Sequence, residues 1–330
     1  MRATPRSRTS LVRILAGYHV DPHYSNAQHV NERELLCRLD PDRFHVTAFY
    51  DRRPDERLLD RPNTRLLHLP PRLKTLACAP RYFSPRFDRI FYLAPEPVSY
   101  AYLKTAKGAN RAIATIEGHR WHPANAAVPP LVRRFADAQW QHSQYLISLT
   151  PELADYVFRH TGRRSTVIPL GVDTGRFRPA GASGRATPCV LFLASLKPRK
   201  RPEMVLEAAA RFPDARFRIA GEGELQPKLA ELISARRLGN VELLGPVAHS
   251  QTPRLFDEAD VLFLPSLEEG LPKVTMEASA AGVPSVIFGR DYDTPSVLDG
   301  QTGLVAKTDE ELLDGLGRLL SDGSLRAGMG

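Results

Sequence analysis

Two glutamates, Glu269 and Glu277, flank the start of a predicted helix in the segment PSLEEGLPKVTMEASAAGVP at 265–284. Pro272 stands where the helix would begin, and Gly282 stands just past its predicted end. A proline in the first turn and a glycine after the last turn are typical of a helix of this length. The segment is therefore predicted to be a junction between a strand and a helix, with one glutamate before the helix and one within it.

This junction has the chemistry of a site for a phosphorylated sugar. Glu269, Gly270 and Leu271 would lie at a helix N-terminus, where free backbone N–H groups and the helix dipole favour a diphosphate, and Gly270 would let the backbone approach the ligand closely. Glu269 and Glu277 suit sugar hydroxyls instead, because carboxylates accept hydrogen bonds from them. The alternative is a solvent-exposed Glu269 and an ordinary helical Glu277.

A second candidate is the basic segment SLKPRKRPE at 195–203, which follows one predicted strand and precedes a helix. It brings Lys197, Arg199, Lys200 and Arg201 to the carboxyl edge of the predicted sheet. Cations there would neutralise a departing diphosphate, since stabilising developing charge is a main source of catalysis. The alternative is a basic loop that serves solubility.

A third candidate is Gly221-Glu222-Gly223, which follows the strand-like RFRIA. A dinucleotide-binding fingerprint would require a third glycine at position 226, which is Gln226. A nicotinamide cofactor is therefore disfavoured. A plain turn between a strand and a helix is the other interpretation.

The elements that would position these residues alternate between short apolar strands and amphipathic helices. This pattern predicts a parallel sheet covered on both faces, of the doubly wound nucleotide-binding type. In the second half the strands are predicted at 189–195, 216–221, 241–245, 261–266 and 284–288. The helices are predicted at 202–212, 225–237, 252–259 and 272–281.

The first half repeats the alternation less regularly. Its predicted strands are 11–17, 44–50, 89–94, 111–116 and 144–150, and its helices lie near 27–39, 96–106, 130–141 and 152–161. Pro and Arg clusters between 52 and 87 indicate irregular surface loops. A stretch rich in Gly, Pro and Ser at 170–186 marks a boundary. The sequence thus predicts an α/β protein with two doubly wound, Rossmann-like domains, 1–170 and 171–330, facing a central cleft.

Composition excludes several classes of protein. The 330 residues are 42% hydrophobic and 25% charged, close to the average for globular proteins, and no window has the about 18 apolar residues of a membrane-spanning helix. Cys37, Cys78 and Cys189 are far apart, which disfavours a zinc site or a disulfide framework and fits a reducing cytoplasm. The net charge of +8 suits a phosphorylated substrate, an anionic membrane or nucleic acid, but no nucleic-acid-binding fingerprint is found.

Several of these segments together resemble family 4 glycosyltransferases, which have the two-domain GT-B fold. EGLPKVTMEASAAGVPSV resembles the E-x7-E segment of that family, and VIPLGVDTGRFRP at 167–179 resembles its linker signature. LASLKPRKRPEMVLEAA, RIAGEGE and VELLGPV follow in the usual order and spacing. The resemblance is strong from about 144 to 320 and weak before.

The resemblance implies a retaining, metal-independent transfer of a sugar from a nucleotide diphosphate sugar. Glu269 would face the donor sugar, and the backbone of Gly270, Leu271 and Pro272 would hold the diphosphate. Glu277 would bind the ribose hydroxyls, and Lys200 matches the family's phosphate-binding lysine. The base would be bordered by two further residues, Gly221 and Val247.

Three departures from the family pattern stand out. The family's arginine five residues before the lysine is Ser195 here, with Lys197 or Arg199 as substitutes. The family's first-domain histidine aligns with Glu117 in ATIEGHRWH, or, if the alignment shifts, with His119, and both are catalytic candidates. The glycine-rich loop after the first strand is replaced by DPHYSNAQ at 21–28.

The resemblance also implies features outside the site. Family members continue into helices that cross back onto the first domain, so we expect those helices to be missing after LRAGMG. The acceptor stays unidentified: a glycan, a lipid or a small molecule. The expected location is the cytoplasm. The basic charge would also suit peripheral contact with the inner face of the membrane.

Four other functions compete with this interpretation. An epimerase or hydrolase of nucleotide sugars would use the same fold, and an inactive nucleotide-sugar-binding scaffold would explain Ser195. A metal-dependent transferase would use Asp291 and Asp293. Nucleic-acid binding through the net charge is a fourth, and it would show a steep salt dependence.

Overall fold

The computed structural model describes residues 11–23, 27–70, 72, 79–93, 95–105, 108, 110–123, 128–180, 187–289 and 295–330. The chain forms two compact units. The first comprises Met1–Ile116, Val128–Ser148 and Ala154–Val167, and the second comprises Glu117–Ala127, Leu149–Leu153 and Ile168–Gly330. Two short segments from the first half of the sequence thus belong to the second unit.

The sheet of the first unit has seven strands among the described residues, in the order β3-β2-β1-β4-β5-β6-β7. Every pairing is parallel. The order reverses between β1 and β4, which is the switch point of a doubly wound sheet. The strands are β1 Val12–His19, β2 Phe44–Tyr50, β3 Thr64–His68, β4 Arg89–Phe91, β5 Ala112–Ile116, β6 Tyr145–Ser148 and β7 Thr166–Val167.

Helices connect these strands, as a parallel sheet requires. Leu15, Phe49 and Ile90 on three adjacent strands are fully buried and belong to one apolar cluster with Tyr82 and Tyr102. The helices are α1 Ala27–Arg38, α2 Glu56–Leu59, α3 Pro97–Leu103, α4 Pro130–His142 and α5 Pro151–Thr161, the first three residues of α5 belonging to the second unit.

The prediction of irregular loops between 52 and 87 is wrong in part. The described part of this stretch contains the short helix α2 and the edge strand β3, which pairs with β2 from Thr64 to His68. Asp55 caps α2, because its side chain accepts a hydrogen bond from the Arg57 N–H. The Pro and Arg residues around these elements obscured a strand of only five residues.

The sheet of the second unit has six described strands in the order β10-β9-β8-β11-β12-β13, again all parallel. Its switch point lies between β8 and β11, so the loops after these two strands emerge side by side. The strands are β8 Cys189–Leu193, β9 Arg216–Ala220, β10 Val241–Gly245, β11 Val261–Leu264, β12 Ser285–Phe288 and β13 Gly303–Ala306.

The helices of this unit cover the sheet through a large apolar cluster that includes Phe192, Phe217 and Phe263. The strands β8, β11 and β12 are near-continuous runs of buried apolar residues, as expected for parallel strands buried on both faces. The helices are α6 Glu203–Arg211, α7 Gln226–Ala235, α8 Thr252–Asp257, α9 Lys273–Ala280, α10 Asp309–Ser321 and α11 Gly323–Met329.

Both sheets confirm the predicted fold class of two Rossmann-like α/β domains. In the second half the predicted strands and helices are all found, each with boundaries within a few residues. Among the described residues, no helix is both long and apolar enough to cross a membrane.

Candidate active site

The candidate site lies at the carboxyl edge of β8 and β11, where open α/β sheets bind ligands. Lys200 follows β8 in a short 3-10 turn, Pro198–Lys200, and Glu269 follows β11. The two loops are joined because the Leu267 N–H donates to the Arg199 carbonyl at 2.9 Å. Residues 69 positions apart thus meet: the Lys200 ammonium donates a hydrogen bond to Glu269 Oε1.

This ion pair is almost fully removed from water. Lys200 is 9% exposed and Glu269 is 8% exposed. Burial lowers the pKa of Lys200, and the charge of Glu269 opposes that effect. A buried ammonium with one carboxylate partner is stabilised further by additional acceptors. The position therefore suits an anionic ligand.

Glu277 lies on α9 and is also buried. Its Oε1 is 2.8 Å from Nε2 of His249, a buried histidine in the turn that follows β10. The helix begins at Lys273 after Pro272, and Gly282 follows its end with φ of 71°. The predicted bounds of this helix are therefore confirmed.

Gly270 has a role that the sequence did not indicate. A Cβ atom on this residue would lie 2.0 Å from the carbonyl oxygen of Glu117 and 2.8 Å from the Cα of Gly118. The absence of a side chain thus allows the loop after β11 to pack against the backbone of the segment that follows β5. Since that space is filled by backbone, the close approach of Gly270 is to the protein itself.

Gly221 and Gly223 serve the same kind of contact between the loops after β8 and β9. A Cβ on Gly221 would lie 1.9 Å from the Ala194 carbonyl oxygen, and one on Gly223 would lie 2.4 Å from that of Leu196. Both have positive φ, 143° and 158°. The turn interpretation explains these glycines fully, whether or not a ligand lies beside them.

His119 is held by two carboxylates. Its Nε2 lies 2.8 Å and 2.7 Å from the two oxygens of Glu152, and its Nδ1 lies 3.2 Å from Glu268 Oε1. The His119 backbone N–H also donates to Glu268 Oε1 at 2.9 Å. These three residues are all in the second unit, although His119 and Glu152 follow strands of the first sheet. We call them the His119 cluster.

The charges in the His119 cluster stabilise one another. Burial alone would lower the pKa of His119, but its hydrogen bonds to Glu152 and Glu268 outweigh burial and raise that pKa to about 9. Burial would raise the pKa of Glu268, yet the hydrogen bonds from His119 and the charge of Arg199 lower it to about 2. At neutral pH His119 is therefore an imidazolium between two carboxylates.

The remaining predicted residues lie around the same edge of the second sheet. Ser195 follows β8, Val247 follows β10, and both are half-buried, as are Glu117 and Leu271. Arg199 donates from Nη1 to the Glu268 carbonyl at 3.2 Å. Every predicted site residue is thus in the second unit, including the two from the first half of the sequence.

Three residues of this region were missed: Glu268, Glu152 and His249. Glu268 is adjacent to Glu269, so the acidic pair was visible but only one member matched a motif. Glu152 looks like any acidic residue in a first helical turn, where the dipole favours it. His249 lies in no motif whose spacing would identify it as a site residue.

Two predictions fall outside the described residues: Asp291 with Asp293, and Cys78. Within the described ranges, no group of three or more His, Cys, Asp or Glu residues is arranged to hold a metal ion. Cys37 and Cys189 are free thiols, and burial raises the pKa of Cys37 to about 12.

The comparisons with known proteins agree with this architecture. The chain is 32% identical over 256 residues to a GDP-mannose-dependent alpha-(1-6)-phosphatidylinositol monomannoside mannosyltransferase of Mycolicibacterium smegmatis, covering 68% of this chain and 64% of the relative. It is 32% identical over 183 residues to a D-inositol 3-phosphate glycosyltransferase of Nocardia farcinica, covering 48% and 40%. The chain thus spans less than two thirds of the length of either relative.

Solved structures share the fold at low sequence identity. A sucrose-phosphate synthase of Thermosynechococcus elongatus superposes with a TM-score of 0.77 at 19% identity, covering 97% of this chain and 92% of that one. Anabaena Alr3699/HepE in complex with UDP-glucose gives a TM-score of 0.75 at 16% identity, covering 96% and 93%.

The predicted GT-B architecture is confirmed by these structural relatives. The predicted family resemblance is confirmed for the second half of the chain, because residues 174–330 match the family described as glycosyl transferases group 1. Those residues, which carry Lys200, Glu269 and Glu277, belong to the glycosyl transferases group 1 family.

Proposed function

We propose that the chain is a glycosyltransferase that moves a sugar from a nucleoside diphosphate sugar to an acceptor hydroxyl, with retention of the anomeric configuration. The observation that carries this proposal is the buried Lys200–Glu269 pair at the switch point of the second sheet. It combines a cation for a diphosphate with a carboxylate for a sugar, in the part of the chain that matches the family.

The diphosphate is assigned to Lys200 and to the backbone N–H groups of Gly270 and Leu271, since Pro272, which precedes the helix, has no N–H to donate. Lys200 already donates to Glu269, and an ammonium has three donors, so a phosphate oxygen can be added without breaking the pair. As the donor bond breaks, negative charge grows on the leaving diphosphate. A buried cation at that point stabilises the charge more strongly than one in water.

The nucleoside is assigned to Glu277 and its neighbours. His249 contacts Oε1 of Glu277, which fixes the orientation of the carboxylate and leaves Oε2 for the ribose hydroxyls in this proposal. Gly221 and Val247, which follow β9 and β10, are proposed to border the base. Glu269 is proposed to bind hydroxyls of the transferred sugar.

Glu117 and His119 differ in what they can do. Both ring nitrogens of His119 contact carboxylates, so we assign it to positioning Glu268 and the adjoining Glu269. Glu117 is half-buried beside Gly270, and we retain it as the group that orients the reacting sugar or the acceptor. The transfer is proposed to need no metal, because Lys200 supplies the positive charge.

The acceptor is the least constrained part of the proposal. Two relatives are named for an inositol phosphate and a phosphatidylinositol mannoside, so inositol derivatives are the first acceptors to test. One relative is named for GDP-mannose, and one structural neighbour holds UDP-glucose. GDP-mannose and UDP-glucose are therefore the first donors. The proposed location is the cytoplasm.

The first test is a thermal-shift panel with UDP, GDP, ADP and NAD on the wild type, on Glu277→Gln and on Glu231→Gln. Glu231 is an exposed residue of α7, so its variant controls for the change of charge. A ligand at about 100 times its Kd stabilises the native state by about 2.7 kcal/mol. One nucleoside diphosphate should raise the melting temperature of the wild type and of Glu231→Gln. It should raise the melting temperature of Glu277→Gln by less.

The second test follows the sugar of the preferred donor with and without inositol acceptors. Transfer to an acceptor with retained configuration, read by NMR of the anomeric proton, supports the proposal. Consumption of the donor without any acceptor would assign the site to a hydrolase or epimerase. Nucleotide binding without either reaction would favour an inactive scaffold, and no binding at all would refute the donor site.

A further inference from the structure

Arg201, the residue after Lys200, has a backbone conformation that arginine rarely adopts. Its φ and ψ are 51° and 49°, in the left-handed region. This region is costly for any residue with a Cβ, and glycine is the usual choice there. A strained residue persists only where its surroundings hold it, and such residues collect at functional sites. An arginine at this position therefore implies a task for its side chain that glycine could not perform.

The left-handed residue joins the turn that carries Lys200 to the helix α6. The Arg201 N–H donates to the Pro198 carbonyl at 3.0 Å, which closes the 3-10 turn. The Arg201 carbonyl accepts from the N–H of Met204, in the first turn of α6, at 3.0 Å. A change in the dihedral angles of Arg201 would therefore turn Lys200 relative to α6.

The side chain of Arg201 is held at two points. Its Nη2 lies 2.6 Å from Oδ2 of Asp309, the first residue of α10. Its guanidinium carbon lies 5.1 Å from the ring centroid of Phe288, the buried last residue of β12. Arginine suits both contacts, because its planar guanidinium pairs with carboxylates and stacks on aromatic rings. We call Arg201, Phe288 and Asp309 the Arg201 anchor.

The Arg201 anchor is better placed than an ordinary surface ion pair, which contributes little to stability. The Arg201 side chain is 16% exposed, although that of Asp309 is 55% exposed. The start of α10 is itself fixed, because the Thr308 side chain accepts a hydrogen bond from the Glu311 N–H at 3.1 Å. The guanidinium thus lies mostly buried between an aromatic ring and a carboxylate on a capped helix.

The consecutive cations Lys200 and Arg201 have different partners. The Lys200 ammonium donates to Glu269 after β11, whereas Arg201 pairs with Asp309 after β13. The charge of Arg201 is compensated by Asp309, so its effect on a ligand at Lys200 is carried by the backbone between the two cations.

We propose that Arg201 is a positioning residue for the donor: the Arg201 anchor holds the left-handed turn that directs the Lys200 ammonium to Glu269 and to the leaving diphosphate. The identity of the ligand rests on the proposed function, whereas the placement of Lys200 can be measured without any ligand. The anchor makes diphosphate binding depend on the end of β12 and the start of α10, which do not themselves contact the Lys200–Glu269 pair.

Two variants remove the anchor while changing the net charge in opposite directions. Arg201→Gly removes the guanidinium but fits the left-handed backbone without strain, and Asp309→Asn removes the partner and keeps the arginine. The control for the first is Arg237→Gly, at an exposed arginine after α7 with φ of 51° as well. The control for the second is Asp314→Asn, because Asp314 is on α10 and pairs with Arg211 at 2.6 Å.

The first readout is chemical labelling in the absence of ligand. Lys200 is 9% exposed and Lys197 is exposed, so an amine-reactive reagent, followed by mass spectrometry, should label Lys197 readily and Lys200 slowly. Arg201→Gly and Asp309→Asn should each raise the labelling rate of Lys200 relative to Lys197 by about fivefold or more, as a local opening would. An unchanged ratio in both variants, or an equal rise in the controls, overturns the proposal.

The second readout is the dissociation constant of the nucleoside diphosphate, UDP or GDP, that stabilises the wild type. Both anchor variants should raise it by about tenfold, which corresponds to about 1.4 kcal/mol, and the controls should leave it unchanged. If net charge alone mattered, Asp309→Asn would bind the anionic ligand more tightly than the wild type, because it raises the net charge by one. That result would overturn the proposal.

A conservative variant separates the side chain of Arg201 from its backbone. Arg201→Lys should recover part of the lost affinity, because an ammonium can also pair with Asp309. If the backbone conformation alone mattered, Arg201→Gly would bind the nucleotide as well as the wild type does, and the anchor would be refuted. Arg201→Gln, which keeps the length of the side chain but not its charge, replaces Arg201→Gly if that variant melts well below the wild type.

The two readouts separate failure of the anchor from failure of the proposed function. If no nucleoside diphosphate binds the wild type but the labelling ratio rises in both anchor variants, the placement of Lys200 by the anchor stands and the donor site is refuted. If the wild type binds the nucleotide and both variants bind and label as it does, the anchor is refuted and the donor site stands.

Discussion

The stability of the second unit should fall as pH rises through 9, because of the His119 cluster. The pKa of His119 is raised from 6.5 to about 9 in the folded protein. A shift of this size corresponds to about 3 kcal/mol of preference for the imidazolium. His119 is 4% exposed, so solvent screening removes little of this value.

The direction follows from proton binding. Between pH 6.5 and 9 the folded state holds a proton on His119 that the unfolded state has released. Unfolding therefore becomes easier with rising pH in this window, with a slope of up to about 1.4 kcal/mol per pH unit. The contribution is fully present below pH 6.5 and lost above about pH 9. The raised pKa of His119 and the lowered pKa of Glu268 arise from the same contact, so their contributions to the free energy of unfolding are not added.

The assay is urea unfolding of the wild type, His119→Gln and the control His45→Gln at pH values from 6 to 10. Subtracting the variant from the wild type isolates the contribution of His119 from the other titrating groups. The difference for His119→Gln should be about 3 kcal/mol at pH 6 and shrink toward zero above pH 9. Glutamine keeps a donor but no charge, so it also leaves Glu268 less well compensated.

The dependence of this difference on pH distinguishes a proton held by His119 from other effects of the substitution. Parallel curves for wild type and His119→Gln across the whole range would show that His119 does not bind a proton preferentially in the folded state. A difference of similar size for His45→Gln would point to a general effect of histidine replacement. The m-values must agree between variants for the free energies to be compared.

Two further substitutions test other contacts of the fold and the site. Glu32 is fully buried, and its two carboxylate oxygens accept hydrogen bonds from the N–H groups of Gly17 and Tyr18, both at 2.9 Å. Glu32→Ala should lower the free energy of unfolding by about 2–4 kcal/mol, because both N–H groups lose their acceptor. Glu32→Gln should lower it by less, since one acceptor remains. Urea unfolding measures both, and equal values for the two would contradict the assignment. Gly270→Ala should abolish most nucleotide-dependent thermal stabilisation, because its Cβ would lie 2.0 Å from the Glu117 carbonyl oxygen and such overpacking costs about 1–3 kcal/mol. Gly239→Ala, with nothing within 4 Å of its Cβ, is the control, and equal thermal shifts in both variants would show that the close packing is unimportant for binding.

Much of the second unit could be predicted from the sequence for a simple physical reason. Parallel strands buried on both faces are continuous apolar runs, and the helices between them have clear starts and ends, as at Pro272 and Gly282. Once the sheet is parallel, the residues after each strand must share one edge, so Lys200 and Glu269 are expected to lie near each other. The topology alone does not predict that they form a direct, buried ion pair.

The parts that could not be predicted depend on contacts between distant segments. Glu268 and His119 are 149 positions apart, and nothing in the local sequence of either identifies the other. The assignment of 117–127 and 149–153 to the second unit is likewise a property of packing. Strand β3 was missed because its five residues alternate only weakly between apolar and polar types and lie among prolines and arginines.

The adjacent glutamates at 268 and 269 have different partners, and this difference bears on how the site is held. Glu268 contacts His119 and Glu269 contacts Lys200, so consecutive carboxylates are each fixed by a separate buried or nearly buried cation. Neither can rotate to its neighbour's partner without leaving one charge uncompensated, which is strongly unfavourable in a buried site. The backbone between them is thereby fixed from both sides, immediately before Gly270 and the start of α9. In the proposed reaction the backbone that follows, at Gly270 and Leu271, holds the diphosphate, so His119 would affect the donor without touching it.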